Sequence, residues 1–498
     1  MKSQRPTNKN DRALLKRIAR ESMIESGLVT EFSQKTLEEV SRFNSPAEAD
    51  DESEIRDLRH LLWSSIDNDD SRDLDQITVA EALADGNIRV MVAIADVDSL
   101  VKKGSAIDDH AGQNTATVYT PAEIFPMLPE KLSTDLTSLN PDEDRLAMVT
   151  EMVISPTGEV VLSDIYRALV RNHAKLAYDG LADWLEHDAP MPAALERVAG
   201  LAENIRIQDQ AAQALRKKRY EHGALTLETI QSKPIFDGDE VVELKIEQRN
   251  RTKELIEDFM IAVNSVTARF LNAKKFPSIR RVVQIPKRWD RIVDVAAQYN
   301  FELPKKPDSI ALNEFLMKEK EDDAARFPDL SLTIIKLLGS GEYLAEKPGR
   351  RAPGHFSLSV KEYTHSTAPN RRYPDLVTQR LLKAALKEEP APYSFENLEK
   401  LAKHITDQED IATKVERKTG KAAAALVLEN RIGEVFNGFV TGASPKGYWV
   451  RIIELPVEGK LVSGTSGLDV GDSIQVELSG VDVERGYIDF KRLKKVRR

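Results

Sequence analysis

The sequence predicts an α+β protein with a short helical N-terminal segment, a mixed central domain and a C-terminal all-β unit. The chain has 498 residues, which is enough for roughly three domains. Alternating apolar residues between about 55 and 165 predict strands, whereas helical spacing dominates from about residue 192. Short strands separated by glycines follow the last helical stretch. We therefore expect helices first, a mixed domain next and a small β domain last.

The composition is typical of a soluble globular protein. Hydrophobic residues make up 41% of the chain and charged residues 31%, which favours folded domains over disorder. The first residues lack an apolar signal, and no apolar run reaches about 18 residues. There is no cysteine, which excludes disulfides and thiol chemistry. We expect a cytoplasmic protein with no membrane partner, in which oxygen or histidine ligands would bind any metal.

Residues 1–50 form the predicted helical N-terminal segment. In "NDRALLKRIARESMIESGL" the apolar residues recur at helical spacing and Gly27 can end the helix. "SQKTLEEVSRF" predicts a second, shorter helix, and the acidic stretch 45–54 is typical of a linker. The basic residues of the segment would suit RNA, a protein partner or the neighbouring domain, so its role stays open.

The stretch "SSIDNDDSRDLDQITVA", residues 64–80, contains five aspartates. Apolar residues on both sides place these acids in a tight connection or an irregular strand. Asp73 and Asp75 are two positions apart, so an extended chain directs both carboxylates to one face, and Asp67 returns by a turn. Like charges this close repel each other unless a cation intervenes, and carboxylate oxygens suit Mg²⁺, with Mn²⁺ as a possible substitute. Neither possible EF-hand register has the required glycine, and a solvated acidic turn remains the alternative.

The net charge of −10 argues against a nucleic-acid partner, because phosphate contacts need lysine and arginine. Basic residues nevertheless occur in clusters, among them "RKKR" at 216–219 and arginine pairs at 280–281 and 371–372. Such pairs are often solvated surface. Their number makes a basic channel a hypothesis that the structure can test.

Several ordered motifs resemble one known family. The motifs are "SIDNDDSRDLDQ", "VAIADVDSLV", "GSAIDDHA", "VYTPAEIFPMLPEKLSTDLTSLNPDEDRLAMV", "ELIEDFMIAVN" and "YTHSTAPNRRYPDLVTQRLLKA". Together they resemble the catalytic RNB domain of the ribonuclease II and ribonuclease R exoribonucleases, over about residues 55–425. The resemblance implies magnesium-dependent hydrolysis of single-stranded RNA from its 3′ end, with release of nucleoside 5′-monophosphates.

The resemblance assigns the acidic stretch and one arginine to catalysis. Asp67, Asp73 and Asp75 match three of the four aspartates of the family and would bind magnesium. The fourth aspartate is Gln76 here, which keeps an oxygen but contributes no charge. Arg371 matches the arginine that binds the scissile phosphate, since a guanidinium can contact phosphate through two donors. The usual "SPI" or "SPL" before it is "APN" in this chain.

The resemblance also implies a set of substrate-binding residues: Tyr119, Tyr178, Leu227, Glu257, Arg371, Arg372 and Glu416. Tyr119 would stack on the 3′-terminal nucleotide, while Tyr178 and Glu257 would contact ribose hydroxyls, which distinguish RNA from DNA. Glu416 would lie near the scissile phosphate. Leu227 stands where the family usually has a phenylalanine, in "HGALTL". Because an aromatic face contributes about 1–3 kcal/mol per stacked base, we expect weaker binding of the last nucleotides.

Residues 430–492 resemble the S-one-type RNA-binding OB barrel. Such barrels bind single strands through aromatic residues and a basic groove, and the candidates here are Phe436, Phe439, Tyr448 and Trp449. Tyr448 and Trp449 are adjacent on a predicted strand, so one should point inward and the other outward. The basic tail, residues 493–498, would add sequence-independent attraction to phosphates.

The prediction is therefore a monomeric, magnesium-dependent 3′ to 5′ exoribonuclease with single-stranded RNA as its partner. Full-length relatives carry cold-shock OB barrels before the catalytic domain, and about 50 residues are too few for one such barrel. One alternative is an RNA-binding pseudo-nuclease, in which Gln76 has cost the site its activity. The other is an adaptor that acts through its N-terminal helices and its barrel.

Overall fold

The computed structural model describes residues 10–48, 55–187, 189–324, 326–350, 353–444 and 447–493. The helices are α1 (Asp11–Glu25), α2 (Gln34–Ser41), α3 (Ala106–Asn114), α4 (Tyr178–Glu186), α5 (Ala193–Glu196), α6 (Leu201–Glu221), α7 (Arg251–Ala273), α8 (Trp289–Gln298), α9 (Ser309–Asp322), α10 (Phe327–Leu338), α11 (Tyr373–Leu386) and α12 (Phe395–Leu428). No helix within these ranges is long and apolar enough to cross a membrane.

The strands of the central domain and of the C-terminal unit are numbered together along the chain. They are β1 (Arg56–Asp57), β2 (Ser64–Asp67), β3 (Gln76–Ala82), β4 (Ile88–Ala95), β5 (Val118–Tyr119), β6 (Ile124–Phe125), β7 (Asp144–Ile154), β8 (Val160–Arg171), β9 (Ala174–Ala177), β10 (Gln231–Asp237), β11 (Glu240–Glu247), β12 (Ser278–Val282), β13 (Glu342–Glu346), β14 (Val435–Ser444), β15 (Gly447–Ile452), β16 (Glu458–Ser463), β17 (Ser473–Asp482) and β18 (Tyr487–Arg492). The mixed α+β class predicted from the sequence is thereby confirmed.

The two predicted N-terminal helices are present as α1 and α2. Asn10 caps α1 by accepting a hydrogen bond from the Ala13 N–H, and Gly27 follows the helix with a φ of 79°, a conformation that glycine adopts without strain. The apolar face of α1 packs against α12 through buried Leu15 and Ile18. The N-terminal segment is thus attached to the body of the protein.

A seven-stranded sheet forms the centre of the molecule, in the order β1-β8-β7-β4-β3-β2-β9. Only two residues join β8 to β9, although these strands are separated by five strand spacings, on the order of 24 Å in a flat sheet. A link this short spans about 10 Å. The sheet must therefore curl, which brings the end of β8 close to the start of β9 beside the amino end of β2, where Ser64 pairs with Ala174.

Helices cover this sheet and bury a continuous core. The largest hydrophobic cluster joins the sheet to α6, α7 and α11. Strand β4 was predicted with one apolar face, yet all its residues from Val90 to Ala95 are buried, because core packs against both sides of the strand. The strands that carry the acidic stretch are therefore fixed by a dense core on both faces.

Two antiparallel pairs interrupt the region that was predicted to be helical. Strands β10 and β11 form a hairpin around Asp237–Glu240, and β12 pairs with β13. The sequence "FDGDEVVELKIE" contains an Asp-Gly turn followed by alternating apolar residues, which is a hairpin signal. This local signal is short and lies between the long helices α6 and α7, whose helical spacing dominates the surrounding sequence.

The C-terminal unit is a closed barrel of β14-β15-β16-β18-β17. Its core contains Phe436, Val476 and Phe490, and the barrel is joined to the central domain by the end of α12 and by an ion pair of 3.0 Å between Arg451 and Asp329. The predicted barrel is confirmed. Of the predicted basic tail, residues 494–498 lie outside the described ranges.

Candidate active site

The acidic stretch forms a loop between β2 and β3, here called the acidic loop, residues 67–75. Asp67 ends β2, and one of its carboxylate oxygens accepts a hydrogen bond from the Ser71 hydroxyl at 2.9 Å. Lys175 of the neighbouring strand β9 donates to the carbonyl oxygens of Asp69, at 2.9 Å, and Ser71, at 2.6 Å. Hydrogen bonds from the sheet thus fix the backbone of the acidic loop. Lys175, which donates two of them, was not among the residues predicted from the sequence.

Asp75 lies at the end of the acidic loop and is 1% exposed. Its two oxygens accept hydrogen bonds from the Asn370 N–H at 3.0 Å and from the Arg371 Nε at 3.1 Å. Both donors belong to the segment 367–372, here called the arginine loop. Burial raises the pKa of the Asp75 carboxyl to about 7, the Arg371 guanidinium opposes this shift, and the Asp73 carboxylate adds to it. The two loops therefore meet at one buried carboxylate.

Asp73 lies close enough to Asp67 and Arg371 for their charges to affect its pKa. Burial raises the pKa of Asp73, and the charge of Asp67 raises it further while Arg371 lowers it. In the part of the chain that the structure describes, no three histidine, aspartate or glutamate side chains are already arranged as a metal cluster. The donor set nevertheless fits a hard divalent cation, because buried Asp75 and half-buried Asp67 and Asp73 place carboxylate oxygens, the ligands that Mg²⁺ prefers, in one site.

Gln76 is the first residue of β3, where it pairs with Ile94. It is 7% exposed, and its amide makes no side-chain hydrogen bond to any residue within the described ranges. Asp69 and Asp70, which could have supplied the missing charge, are exposed and line a neighbouring cavity. The position next to Asp75 therefore holds the neutral amide of a largely buried residue, where the family pattern has its fourth aspartate.

Two tyrosines flank the acidic loop. The Tyr119 hydroxyl lies 3.5 Å from an oxygen of Asp73, and its N–H donates to Glu416 at 2.9 Å. Burial raises the pKa of Tyr119 and of Tyr178; in both, the charge of Asp67 adds to this shift and that of Arg371 opposes it. The structure thus brings together both predicted tyrosines, the three predicted aspartates, Arg371 and Glu416.

Leu227 and Glu257 lie in a second group of contacts. Glu257 forms an ion pair of 2.8 Å with Arg249, and Arg249 donates to the Leu227 carbonyl oxygen at 3.2 Å. The Leu227 side chain is half-buried and packs against the hydrophobic cluster of α8, α9 and α10. That Glu257 contacts a ribose and that Leu227 takes part in a base clamp both stay predictions.

Arg372 points away from the acidic loop, although it follows Arg371 directly. Its guanidinium donates to Asp375 at 2.7 Å and to the Thr367 hydroxyl at 3.2 Å. Asp375 also accepts the N–H groups of Thr367, at 2.7 Å, and Ala368, at 2.9 Å. Arg372 therefore braces the arginine loop in this structure, and its predicted contact with substrate stays a prediction.

Most of the clustered arginines that the structure describes do not form the predicted basic channel. Arg216 and Arg219 both pair with buried Asp258, and the buried Arg280 pairs with Glu346. These side chains compensate carboxylates inside the protein. The clusters are therefore mainly internal ion pairs, which the sequence alone does not distinguish from a surface that binds phosphate.

The barrel aromatics divide into core and surface. Phe436 is 2% exposed and packs edge-on against Phe490, so its prediction as an RNA-binding residue is corrected: its position on β14 points inward. Phe439 is partly exposed, with the Arg326 guanidinium 5.1 Å from its ring centre. Tyr448 packs against the barrel core, whereas Trp449 packs over Gly442 on the outside. As expected for adjacent strand residues, Tyr448 points inward and Trp449 points outward.

Comparison with known proteins agrees with this architecture. Residues 55–388 match the RNB domain family, and residues 434–493 match the RNase II-type exonuclease C-terminal S1 domain. Ribonuclease R of Aquifex aeolicus is 30% identical over 495 residues, covering 94% of this chain and 69% of that protein. Ribonuclease R of Escherichia coli is also 30% identical, covering 89% of this chain and 58% of that protein.

A solved structure of Mycoplasma genitalium RNase R in complex with ribose methylated single-stranded RNA has the same fold. Its TM-score is 0.86 at 23% identity, with 98% of this chain and 78% of that chain covered. The RNB match alone spans more than half of the present chain, and it coincides with the domain that carries the acidic and arginine loops. The chain therefore belongs to the RNB family of ribonuclease R-type exoribonucleases.

Proposed function

We propose that this chain is a magnesium-dependent 3′ to 5′ exoribonuclease that hydrolyses single-stranded RNA to nucleoside 5′-monophosphates. The observation that carries the proposal is the contact of Asp75 with both the Asn370 N–H and the Arg371 guanidinium. It joins the buried carboxylate of the acidic loop to an arginine whose side chain is still 41% exposed. A phosphodiester could therefore reach Arg371 while lying beside the acidic loop.

The chain's own residues would divide the work between them. Asp67, Asp73 and Asp75 would bind the metal, and Arg371 would hold the scissile phosphate through its remaining donors. Bound magnesium would supply positive charge at the phosphate and lower the pKa of a water molecule. Tyr119, 43% exposed, would stack on the terminal base and so set the position of the last phosphodiester.

The nature of the substrate is supported by the relatives. The similar structure from Mycoplasma genitalium is that of RNase R with single-stranded RNA. This chain also has a barrel with partly exposed Phe439 and Trp449, aromatic rings that suit unpaired bases. We accordingly assign single-stranded RNA as the substrate.

The proposal is tested with purified protein and 5′-labelled single-stranded RNA, followed over time on a denaturing gel. Magnesium should give stepwise shortening from the 3′ end, and chelation should stop it. Thin-layer chromatography of uniformly labelled RNA should show nucleoside 5′-monophosphates. A DNA strand of the same sequence should stay intact.

Intact RNA in every lane, together with a clear gel shift, would overturn the proposal and favour an RNA-binding pseudo-nuclease. In that case Gln76 would be the first residue to exchange. Nucleoside 3′-monophosphates or internal cuts would instead contradict the reaction type.

A further inference from the structure

We propose that Thr137 and Ser138 are positioning residues that hold the acidic loop and the arginine loop at a fixed separation. They belong to the segment 137–140, here called the bridge, which follows a π-helical turn at Lys131–Leu136. The catalytic role of the two loops is taken from the proposed function. The hydrogen bonds that Thr137 and Ser138 make to the loops are observed whatever that role is.

Ser138 holds the acidic loop on both sides of Asp73. It is fully buried, and its hydroxyl oxygen accepts the Leu74 N–H at 2.9 Å and lies 3.0 Å from the Arg72 carbonyl oxygen. In addition, the Leu139 N–H donates to the Leu74 carbonyl at 3.0 Å. The Ser138 hydroxyl hydrogen has a second acceptor in reach, the Asn140 side-chain oxygen at 3.0 Å. The backbone next to Asp73 is thus fixed at Leu74 through both its N–H and its carbonyl, and Ser138 lies within hydrogen-bond reach of Arg72 on the other side.

Thr137 holds the arginine loop. It is 4% exposed, and its hydroxyl lies 2.5 Å from the Asn370 side-chain oxygen and 2.9 Å from the Leu132 carbonyl. One hydroxyl hydrogen serves only one acceptor. If the Asn370 amide is rotated by a half-turn, its NH₂ donates to Thr137 and Thr137 donates to Leu132, which also gives the otherwise unpartnered Nδ2 of Asn370 a partner.

In each loop, the residue that the bridge contacts is also directly connected to Asp75, the carboxylate at which the two loops meet. Asn370 donates its own N–H to Asp75, and Leu74 directly precedes Asp75 in the chain. The loops are 295 residues apart in sequence at this contact, so no strand or helix common to both fixes their distance. The bridge adds a second link to this direct contact, from a third part of the chain and through two adjacent hydroxyl groups.

The test compares Ser138→Ala and Thr137→Val with Ser133→Ala as a matched control. Ser133 lies in the π-helical turn just before the bridge; it is buried, and among the described residues its hydroxyl bonds only the nearby Leu128 carbonyl, at 3.4 Å. Ser138→Ala should weaken Mn²⁺ binding, followed by electron paramagnetic resonance without RNA, about tenfold, and should raise the magnesium requirement of cleavage similarly. Thr137→Val should lower kcat about tenfold and leave Mn²⁺ binding within about twofold, and Thr137→Ser should restore kcat.

The control separates positioning from general loss of packing. Ser133→Ala should lower the melting temperature as Ser138→Ala does, with Mn²⁺ affinity and kcat close to those of the unmodified protein. Equal Mn²⁺ affinity in the Ser138 and Ser133 variants would overturn the proposal. If the unmodified protein binds Mn²⁺ but does not shorten RNA, only the proposed function fails, and the Mn²⁺ comparison still decides the role of Ser138. Absence of Mn²⁺ binding to the unmodified protein would overturn the positioning role as well.

Discussion

Asp75 combines burial, two hydrogen bonds from the arginine loop and the proximity of Asp73 in one side chain. Asp75→Asn removes one negative charge from the metal site, yet leaves the exposed aromatic and basic surfaces unchanged. We expect cleavage to fall at least about a thousandfold, as for loss of a central electrostatic group, while RNA affinity stays within about threefold. Single-turnover kinetics and filter binding in chelator measure the two effects. Equal loss of both would contradict the division of roles.

Gln76 is the residue at which this site differs from the four-aspartate pattern of the family. The residue is largely buried next to Asp75, and its side chain has no hydrogen-bond partner among the described residues. Gln76→Asp adds a charge that a bound cation can use, so we expect cleavage to be maintained or raised, with a lower magnesium requirement. A magnesium titration of cleavage measures this. A collapse of activity would mean that the site has adapted to glutamine.

At this scale, sequence reasoning identified the residues that carry the chemistry and missed those that support them. Asp67, Asp73, Asp75 and Arg371 stand in motifs that show the chemistry directly, through clustered acids or a paired arginine. Ser138 and Lys175 act on backbone groups 64 and 106 residues away in the sequence, and Asp375 acts on a loop N–H eight residues before it. Serine, lysine and aspartate are common on surfaces, so nothing local marks these three as supports.

Among the elements, the barrel offers a comparison of two aromatic residues with opposite orientations. Trp449 lies on the outer side of β15, whereas Phe436 on β14 packs against Phe490. Trp449→Ala should weaken RNA binding by about 1–3 kcal/mol and leave the melting temperature nearly unchanged. Phe436→Ala should instead destabilise the barrel by about 3–5 kcal/mol. RNA titration and thermal unfolding of both variants measure these effects. A destabilised Trp449→Ala variant together with weaker RNA binding by a stable Phe436→Ala variant would contradict the assignment.

Helix α1 carries arginines whose charges are already engaged. Arg17 pairs with Glu484 of the barrel, and Arg20 pairs with Glu123, close to Tyr119. Arg20→Gln should therefore leave the salt dependence of RNA affinity unchanged, because no counterion is released there. Arg326 faces Asp323 at a longer 3.5 Å and is 52% exposed beside Phe439, so Arg326→Gln should lower the slope of log K against log salt by up to about 0.7. A smaller slope for the Arg20 variant would show that α1 binds RNA.

Regular elements were predictable where a single period dominated. Helix α1 and strand β4 have clear periods, and both occur where the sequence placed them. The hairpin of β10 and β11 was missed, although Asp237 and Gly238 mark its turn, because long helices surround it. Burial of β4 on both faces depends on the curl of the whole sheet, which is a tertiary property.

For the whole molecule, the order of the domains followed from the sequence, but their attachment did not. The barrel is held by the Arg451–Asp329 ion pair and by α12, whose last turn contributes Leu428 to the barrel core. Helix α1 touches the hairpin through Arg12 and the barrel through Arg17. These contacts join segments hundreds of residues apart, and no local pattern predicts them.

The stability of the whole domain should report the charge state of the metal site. The pKa of Asp75 is about 7 in the folded, metal-free protein, because burial disfavours its charged form, whereas an unfolded chain has a value of about 3.9. Between about pH 4 and 7 the folded state therefore retains a proton that the unfolded state releases. The free energy of unfolding should fall as the pH rises through this window, by at most about 1.4 kcal/mol per pH unit from this group.

Magnesium should reverse this loss, because it binds the ionised carboxylate in the folded state only. Thermal unfolding at pH 5 and pH 8, in chelator and in magnesium, should show little stabilisation by magnesium at pH 5 and clear stabilisation at pH 8. Asp75→Asn supplies the control, since it lacks the titrating group. If the unmodified protein and the variant show the same dependence on pH in chelator, Asp75 is already ionised at pH 5, and the positive charge of Arg371 outweighs the cost of burial.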